Sequence, residues 1–285
     1  MDAPYKKRAF DIGICLATVW LWLPVLAVCA LLNLILNGRP VFYVSKRRID
    51  SSRVVSILKF RAMIRNAALV ANRDTIPVRD KIFFNIPPDS ALYTSLGRIF
   101  EKCCLTELPQ VLHVLSGQMS IIGNRPLPEN VTSKLQSRYP YAGDRFLVKG
   151  GLTGPVQLVG RDRLCDADRL RLEIRYCKLC AESHSTTLDF LILLNTVLIG
   201  ARLRQPLSLA QVEHLMERHS GYDLTRWWDV YISNQRMRAQ PAPVMVSSDG
   251  RGVPLPIVAV SVARSQASLD DPDPTPVAEA ELSER

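Results

Sequence analysis

The longest apolar stretch of the chain covers residues 10–36, and its main interruptions are Asp11, Pro24 and Asn33. A bilayer core is spanned by about 20 apolar residues, so this stretch is long enough to enter a membrane. It is too long for the apolar part of a cleavable signal peptide, and no A-x-A-like cleavage site follows it. A buried helix of a soluble core is the alternative, which the lack of a polar face disfavours.

The charges that flank this stretch favour a re-entrant topology. The flanking basic residues are Lys6, Lys7, Arg8, Arg39, Lys46, Arg47 and Arg48. Because basic residues favour the cytoplasmic side of a membrane, both ends are expected on that side. Proline removes a helical hydrogen bond and clashes with the preceding turn, so we expect a helix that bends at Pro24 and leaves the leaflet it entered. Hydropathy alone predicts a straight transmembrane helix instead.

After the apolar stretch, short apolar runs predict strands and longer periodic patterns predict helices. Strands are expected at residues 41–43 and 54–58. Helices are expected at residues 96–104, 107–115, 166–180, 188–203, 208–219 and 223–238. Residues 66–93 show little periodicity and are expected to form a loop over the site. The predicted fold class is α+β and mostly helical, with an N-terminal re-entrant membrane helix and a small cytosolic catalytic domain with interfacial helices.

These elements divide the chain into four predicted parts. They are a membrane-inserted helix at 1–38, a catalytic domain at 39–205, accessory helices at 206–238 and a disordered tail at 239–285. The helix at 188–203 is too short to span comfortably and suits a buried or interfacial position. The helix at 223–238 carries two Trp and three Arg residues, which suits an interfacial helix and an ordinary surface helix equally. The tail is rich in Pro, Ser and acidic residues, which is typical of disorder.

Charge is distributed unevenly along the chain. The whole chain has a net charge of +9, residues 239–285 carry −4, and the remainder therefore carries +13. A cationic body suits an anionic partner such as nucleic acid, anionic lipid or a phosphate-bearing substrate. The basic residues are dispersed and no nucleic-acid-binding module is present, so nucleic acid is not an expected partner. Seven cysteines without a regular disulfide pattern indicate a reducing compartment.

The most informative segment is residues 97–128, which read GRIFEKCCLTELPQVLHVLSGQMSIIGNRPLP. It combines a glutamate, a proline-broken apolar helix and two arginines, as a catalytic elbow that handles phosphates requires. In order along the chain, several blocks resemble the monotopic polyprenol-phosphate phosphoglycosyl transferases, also called bacterial sugar transferases. The matching blocks are KRAFD at 7–11, KFRAM at 59–63, ELPQ at 107–110, GQMS at 117–120, RP at 125–126, TG at 153–154, Gln157 and GR at 160–161. The resemblance extends over about residues 6–203.

The resemblance implies a reaction at the cytoplasmic face of the bacterial inner membrane. A sugar 1-phosphate passes from a UDP-sugar to undecaprenyl phosphate, UMP leaves, and synthesis of exopolysaccharide, capsule, O-antigen or a related glycan begins. Family members use an adjacent Asp–Glu pair and Mg²⁺; the Asp attacks the β-phosphate and the Glu engages the metal. Membrane lipids and downstream glycosyltransferases are further implied partners. An inactive membrane scaffold that recruits glycan-assembly partners is the alternative function.

Physical chemistry and the resemblance point to the same kinds of side chain. Transfer between two anions depends on charge neutralisation and positioning. Mg²⁺ binds one or two carboxylates together with substrate phosphates, which makes Glu107 the expected metal ligand, and arginine forks hold phosphates. The expected substrate-binding residues, by their match to the family, are Lys59, Arg61, Arg98, Arg125, Arg145, Gln157 and Arg161. The residues that match its membrane entry are Arg8, Asp11 and Pro24.

Thr106 stands where the family has its nucleophilic Asp, and Glu107 follows it. A threonine hydroxyl needs an adjacent base to attack phosphorus, and neighbouring helical residues point about 100° apart. Thr106 is therefore an activated nucleophile, or another carboxylate or direct attack by the lipid phosphate replaces it, or the protein is inactive. Thr106 acting only as a helix cap is compatible with each outcome. His113 is expected to be a packed polar residue and not a base.

Overall fold

The N-terminal part of the chain forms two helices separated by one residue. The computed structural model describes residues 3–67, 82, 86–87, 89–160, 163–182, 184–221 and 223–239. Helix α1 covers Ala3–Ala17 and helix α2 covers Val19–Asn37. The hydroxyl of Thr18, which separates them, donates to the carbonyl of Ile14 at 2.7 Å, and the indole of Trp22 donates to a carbonyl of α1 at 2.9 Å. Side chains therefore satisfy carbonyl groups at the interruption.

Pro24, where a bend was predicted, lies within α2, and the bend there stays a prediction. Helix α2 continues through Pro24, whereas the helices separate at Thr18. Proline withholds only the N–H that would bond to the carbonyl of Trp20, and a helix can survive that single loss where the surroundings favour it. At Thr18, a hydroxyl and an indole N–H donate to carbonyls of α1.

Helix α2 is long and apolar enough to cross a membrane by length and composition. One face contacts the protein: Cys29 and Asn33 are buried, and the amide of Asn33 donates to the carbonyl of Arg61 at 3.0 Å. The exposed large apolar side chains of α2 are Trp20, Leu21, Leu23, Val28, Leu31, Leu32, Leu34, Ile35 and Leu36. Most of its apolar surface is therefore left uncovered by the protein.

An antiparallel hairpin follows α2. Strand β1 covers Phe42–Arg48 and strand β2 covers Val54–Phe60. The carboxylate of Asp50 in the turn accepts the backbone N–H groups of Ser52 and Arg53 at 3.1 and 2.9 Å, as Asp commonly does in turns. Both predicted strands are confirmed, and both are longer than predicted.

The remaining elements form the body of the protein around a short parallel strand pair. Their bounds are α3 Ser95–Lys102, a 3-10 helix Leu105–Gln110, α4 Val111–Leu115, β3 Ser120–Ile122, α5 Glu129–Arg138, a 3-10 helix Pro140–Phe146, β4 Gly151–Thr153, α6 Pro155–Val159, α7 Asp166–Glu182, α8 Thr186–Gly200, α9 Leu209–Ser220 and α10 Leu224–Ala239. The mostly helical α+β prediction is confirmed. The β3–β4 pair was not predicted, because strands of three residues are too short to show alternation.

Close backbone contact fixes the β3–β4 pair beneath the site. A Cβ atom on Gly151 would lie 2.1 Å from the backbone nitrogen of Gly123. No side chain fits at that distance, so glycine is required at position 151 for the strands to approach. Buried side chains from α7 and α8, including Tyr176 and Ile192, pack in the same core as Ile122 of β3.

Helix α10 contributes an aromatic cluster. Trp227, Trp228 and Tyr231 pack against Tyr139 and Tyr141, with the Trp227 and Tyr231 ring centroids 5.1 Å apart. These aromatic residues therefore contact protein. Residues 240–285, where the disordered tail was predicted, and most of the predicted loop at 66–93 lie outside the described residues. The predicted domain boundaries stay a prediction.

Candidate active site

The segment that carries Glu107 is a 3-10 helix, not the first turn of an α-helix as predicted. It covers Leu105–Gln110, and α4 follows it directly. Pro109 has no N–H for an upstream carbonyl, which disfavours a regular α-helix here. Cys104, just before this segment, has a left-handed backbone with φ 56°, which is uncommon for a residue with a side chain. The result is a sharp elbow between α3 and α4.

Two basic side chains from separate elements hold Glu107. Lys59 of β2 donates to Oε1 of Glu107 at 2.9 Å. Arg125, which follows β3, donates to Oε2 at 3.0 Å and also to Oε1 through its other terminal nitrogen. The side chains are 17% exposed for Glu107 and 21% exposed for each base, so a solute can reach them. We call Lys59, Glu107 and Arg125 the Glu107 cluster.

The electrostatics of the Glu107 cluster favour an anionic ligand. Burial lowers the pKa of Lys59 to about 8, and the attraction of Glu107 is offset by the positive charges of Arg125 and Arg47. Burial also disfavours the charge of Arg125, but the carboxylate of Glu107 outweighs this effect and raises the pKa of Arg125. The small cleft beside the cluster is lined by Arg47, Ile57, Lys59, Glu107, Gln110, Arg125, Pro126 and Gly151. Three cationic side chains and one carboxylate thus line the cleft, a composition that suits a phosphate ligand.

Thr106 does not point into the same environment as Glu107. It is buried, with 5% of its surface exposed, and its hydroxyl donates to Oε2 of Glu101 at 3.1 Å. Glu101 lies in the last turn of α3 and is half-buried. The carboxylate hydrogen-bonded to Thr106 is therefore Glu101, which the sequence analysis did not single out. Only the left-handed turn at Cys104 brings residues 101 and 106 together, and no sequence pattern signals that turn.

The geometry does not support a phosphate contact for Arg61. Its guanidinium donates to the carbonyls of Pro40 at 2.7 Å and Gly38 at 2.9 Å, and to that of Asn37. These carbonyls lie at and beyond the end of α2, where helical acceptors lack backbone donors. Arg61 directly follows β2. Its hydrogen bonds thus cap the C-terminal end of α2 and link that end to β2.

Arg145 also has a structural environment and not the predicted phosphate contact. It is 1% exposed and forms two hydrogen bonds with Glu173 of α7, at 2.6 and 2.9 Å. Its remaining contact is a hydrogen bond to the carbonyl of Arg125 at 3.0 Å. Arg145 therefore supports the backbone from which Arg125 reaches Glu107, because burial leaves it no access to a substrate.

The other predicted substrate residues are dispersed. Arg98 is exposed on α3, one turn before Glu101, and its described contact is a backbone hydrogen bond to Thr94. Gln157 lies in α6, and its backbone N–H donates to the carbonyl of Gly154 at 3.1 Å. Arg161 lies outside the described residues. The structure thus brings Lys59 and Arg125 to Glu107 and leaves the roles of Arg98, Gln157 and Arg161 as predictions.

The residues predicted at the membrane entry contact the protein body. Arg8 donates to the carbonyl of Leu115 at 2.6 Å and to that of Val114. Asp11 is 3% exposed and accepts hydrogen bonds from the hydroxyl of Ser120 and the N–H of Ile121, at 3.0 and 2.9 Å. Both residues therefore dock α1 against α4 and β3, the elements that follow the elbow.

His113 is packed, as predicted. Its Nε2 accepts the backbone N–H of Leu58 at 3.0 Å, and Nδ1 lies 2.6 Å from the side-chain oxygen of Gln118. Both ring nitrogens are thus engaged in holding α4 beside β2. A proton acceptor for catalysis is not available from this ring in this arrangement.

Glu107 is the right kind of ligand for Mg²⁺, but both its oxygens are already engaged by Lys59 and Arg125. Among the residues that the structure describes, no group of three His, Cys, Asp or Glu side chains could hold a metal ion. A metal at Glu107 would therefore need donor phosphate oxygens to complete its coordination. The described arrangement by itself does not present a preformed metal centre.

Comparisons with known proteins agree with the resemblance. The chain is 28% identical over 193 residues to the UDP-N-acetylgalactosamine-undecaprenyl-phosphate N-acetylgalactosaminephosphotransferase of Aeromonas hydrophila, covering 68% of this chain and 43% of that protein. It is 31% identical over 182 residues to the UDP-galactose-lipid carrier transferase of Erwinia amylovora, covering 61% of this chain and 36% of that protein. It is 27% identical over 206 residues to the exopolysaccharide production protein ExoY of Sinorhizobium fredii, covering 67% of this chain and 84% of that protein.

The chain thus spans less than half of the length of the first two relatives. The family match itself covers most of the present chain and includes the Glu107 cluster, Thr106 and both N-terminal helices. Residues 3–202 match the sequence model described as "Bacterial sugar transferase", and the chain therefore belongs to the bacterial sugar transferase family.

Proposed function

We propose that this protein transfers a sugar 1-phosphate from a UDP-sugar to undecaprenyl phosphate, releases UMP and so starts the synthesis of a surface glycan. The observation that carries the proposal is the Glu107 cluster, in which Lys59 and Arg125 meet one carboxylate in a partly open cleft. The names of the Aeromonas and Erwinia relatives, which refer to UDP-sugars, undecaprenyl phosphate or a lipid carrier, support this substrate class.

The chemistry of the cleft matches the demands of such a transfer. Moving a phosphosugar between two anions requires cationic side chains that hold the phosphates in line. The donor diphosphate would give Lys59 and Arg125 new anionic partners in place of the Glu107 carboxylate. Arg47, which lines the cleft, adds positive charge on the same side.

A requirement for Mg²⁺ is part of the proposal. Glu107 would hold the metal together with donor phosphate oxygens. This requires that the donor phosphates replace Glu107 as the partner of Lys59 and Arg125. When bound, the metal would neutralise charge on the transferred phosphate. Removing divalent cations with EDTA should abolish UMP release, and adding Mg²⁺ back should restore it.

We further propose that α1 and α2 form a re-entrant pair at the cytoplasmic membrane face. Both helices contact the same body of the protein, α1 through Asp11 and Ser120 and α2 through Asn33 and Arg61. A straight span would carry one end of the pair about 30 Å away from this body. Cysteines introduced by Tyr5→Cys and Arg39→Cys should react with an impermeant thiol reagent from the same side of sealed vesicles. Reaction from opposite sides would exclude the re-entrant pair.

The decisive experiment is UMP release by the full-length protein purified in detergent, with undecaprenyl phosphate, Mg²⁺ and a panel of UDP-sugars. At least one UDP-sugar should yield UMP together with a lipid-linked phosphosugar. Absence of UMP with every sugar would favour the inactive scaffold, which the replacement of the family Asp by Thr106 already suggests as the alternative. Recruitment of downstream glycosyltransferases would then be tested by co-purification.

A further inference from the structure

The elbow at residues 101–106 places a carboxylate beside the position where the family has its nucleophile. The hydroxyl of Thr106 donates to Oε2 of Glu101 at 3.1 Å, and the left-handed residue Cys104 turns the chain between them. Glu101 and Thr106 belong to different helical segments, so their contact depends on the tertiary position of α3.

The position of α3 is fixed tightly enough for such a contact to be maintained. The N–H of Thr94 donates to the carbonyl of Ala62 at 3.0 Å, and the side chain of Thr94 accepts the N–H of Gly97 at 3.0 Å. A Cβ atom on Gly97 would lie 1.8 Å from the oxygen of Ala62. Because residues i and i+4 share a helix face, Glu101 extends from the face on which α3 meets the body.

Access to the cleft differs between the two candidate nucleophiles. Thr106 is 5% exposed, whereas Glu101 is half-buried. The charge of Glu101 also acts on Arg125 of the Glu107 cluster, where it adds to the effect of Glu107 in raising the pKa of Arg125. Glu101 is therefore the more accessible of the pair, and its hydrogen bond to Thr106 holds its carboxylate beside the residue that precedes Glu107.

The chemistry of the second half of the reaction separates the candidates further. A covalent phosphosugar intermediate must be attacked by the lipid phosphate, and the enzyme side chain must then leave from phosphorus. A carboxylate leaves readily, since the acid form has a pKa near 4. A threonine alkoxide is a far more basic leaving group, and forming the ester in the first place requires a base to remove the hydroxyl proton.

We propose that Glu101 is the covalent nucleophile of this protein and that Thr106 orients it through the hydrogen bond to Oε2. This inference rests on the proposed phosphosugar transfer. A Glu101 carboxylate oxygen forms a bond to the β-phosphorus of the UDP-sugar, and the bond from that phosphorus to the bridging oxygen breaks, so that UMP leaves with the electron pair. An oxygen of undecaprenyl phosphate then forms a bond to the same phosphorus, and the Glu101 carboxylate leaves with its electron pair. Neither step requires a proton transfer.

A trapping experiment tests the identity of the nucleophile. The full-length protein is incubated with a UDP-sugar labelled with ³²P at the β-phosphate, without acceptor lipid, and the labelled protein is isolated. An acyl phosphate on Glu101 should lose its label in hydroxylamine and should map by mass spectrometry to the peptide containing residue 101. A hydroxylamine-stable label on Thr106 would overturn the proposal, as would turnover with no labelled protein.

Matched variants test the same assignment through turnover. Glu101→Gln should lower UMP release by about 1000-fold or more, because removal of a covalent nucleophile is among the largest single-residue effects on catalysis. Thr106→Val should have a smaller effect, about 10-fold, since it removes only the orienting hydrogen bond. Glu101→Asp keeps a carboxylate on a shorter side chain and should retain more turnover than Glu101→Gln, and urea unfolding of both variants checks that they are folded.

The outcomes distinguish this inference from the proposed function. If the wild-type protein releases UMP and Glu101→Gln does so at a similar rate, the inference fails and the proposed function stands. If Glu101→Gln is folded and inactive but the wild-type protein carries no hydroxylamine-labile label during turnover, Glu101 is not the covalent nucleophile and the inference fails. If wild type releases no UMP with any UDP-sugar, both proposals fail together.

Discussion

Glu107 and Glu173 are each held by two basic side chains, but their surroundings differ. The pair of Glu173 with Arg145 is 1% and 0% exposed, and Arg169 completes the contacts at 3.5 Å. Glu107 and its partners Lys59 and Arg125 are 17% and 21% exposed, at the edge of a cleft. A buried carboxylate cannot exchange its partners with a ligand, whereas a carboxylate in a cleft can. The same residue types therefore support the fold around Glu173 and indicate ligand binding around Glu107.

This comparison explains why Arg145 resembles a substrate residue in sequence but not in structure. Arg145 donates to the carbonyl of Arg125 at 3.0 Å and so links the two clusters. Its role is to set the backbone of the residue that reaches the cleft. We expect substitutions in the Glu173 cluster to act on stability and substitutions in the Glu107 cluster to act on turnover.

The largest expected effect is the loss of stability in Arg145→Met. This change removes one partner of a buried ion pair and leaves the Glu173 carboxylate with its longer contact to Arg169, at 3.5 Å. Breaking such a pair costs about 3–5 kcal/mol, chiefly because a buried charge loses its partner. Urea unfolding of the detergent-solubilised protein, followed by tryptophan fluorescence, measures this loss. A loss below about 1 kcal/mol would show that the cluster contributes less than its burial indicates.

Glu107→Gln should have the opposite profile. The amide keeps the size of the side chain, and the partly exposed site lets water solvate the two bases, so the loss of stability should stay below about 1 kcal/mol. Turnover should fall by about 100-fold, equivalent to about 2.7 kcal/mol in the activation barrier. UMP release and urea unfolding on the same preparation check both parts. Unchanged turnover would remove Glu107 from the mechanism.

The lowered pKa of Lys59 predicts a pH effect on donor binding. Below its pKa of about 8 the ammonium is charged and can bind phosphate; above it the neutral amine cannot. The Kd for UDP, measured by calorimetry, should therefore rise with pH above 8, by up to about tenfold per pH unit. Because the pKa is below its unfolded value, the fold itself should gain stability as pH rises from 8 towards 10.5.

Lys59→Arg is the matched control for this pH effect. Arginine keeps its charge over the whole range, so its Kd for UDP should not follow the same pH dependence. A flat profile for the wild-type protein would mean that Lys59 does not contact the donor phosphates.

The smallest effect is expected at an exposed pair. Arg48 pairs with Glu129 at side-chain exposures of 27% and 51%. Such pairs contribute about 0–1 kcal/mol, so Glu129→Ala should change neither urea unfolding nor UMP release measurably. A large effect on turnover would extend the active region to α5, which the comparison of the two clusters does not anticipate.

The sequence predicts the elements of this protein better than the contacts between them. The hairpin, α3 and the helices from residue 166 onward follow from periodicity and from caps such as Ser208, which forms a complete capping box with Gln211. The resemblance includes Glu107, Lys59 and Arg125 among its candidate residues, and the structure brings these three together. It could not separate Arg125 from Arg145, because exposure depends on which helix covers each residue.

The features that sequence reasoning missed depend on single backbone conformations or on distant contacts. The interruption at Thr18 and the left-handed turn at Cys104 are each set by one residue without Gly or Asn to mark it. The contact between Glu101 and Thr106 follows from that turn. Pairings across long sequence separations, such as Lys7 with Asp189 at 2.9 Å, have no local signal at all.

The docking of α1 has a practical consequence for anyone who wishes to obtain the protein without its long apolar helix α2. Lys7 binds Asp189 and Tyr176 in the interior, at 2.9 and 3.0 Å, while Asp11 accepts a backbone N–H of β3. A fragment that starts after α2 would leave the buried carboxylate of Asp189 without Lys7. It would also expose the part of the core that α1 covers. Solubility must therefore be sought by changing the uncovered apolar residues of α2, with the N-terminal helix kept in place.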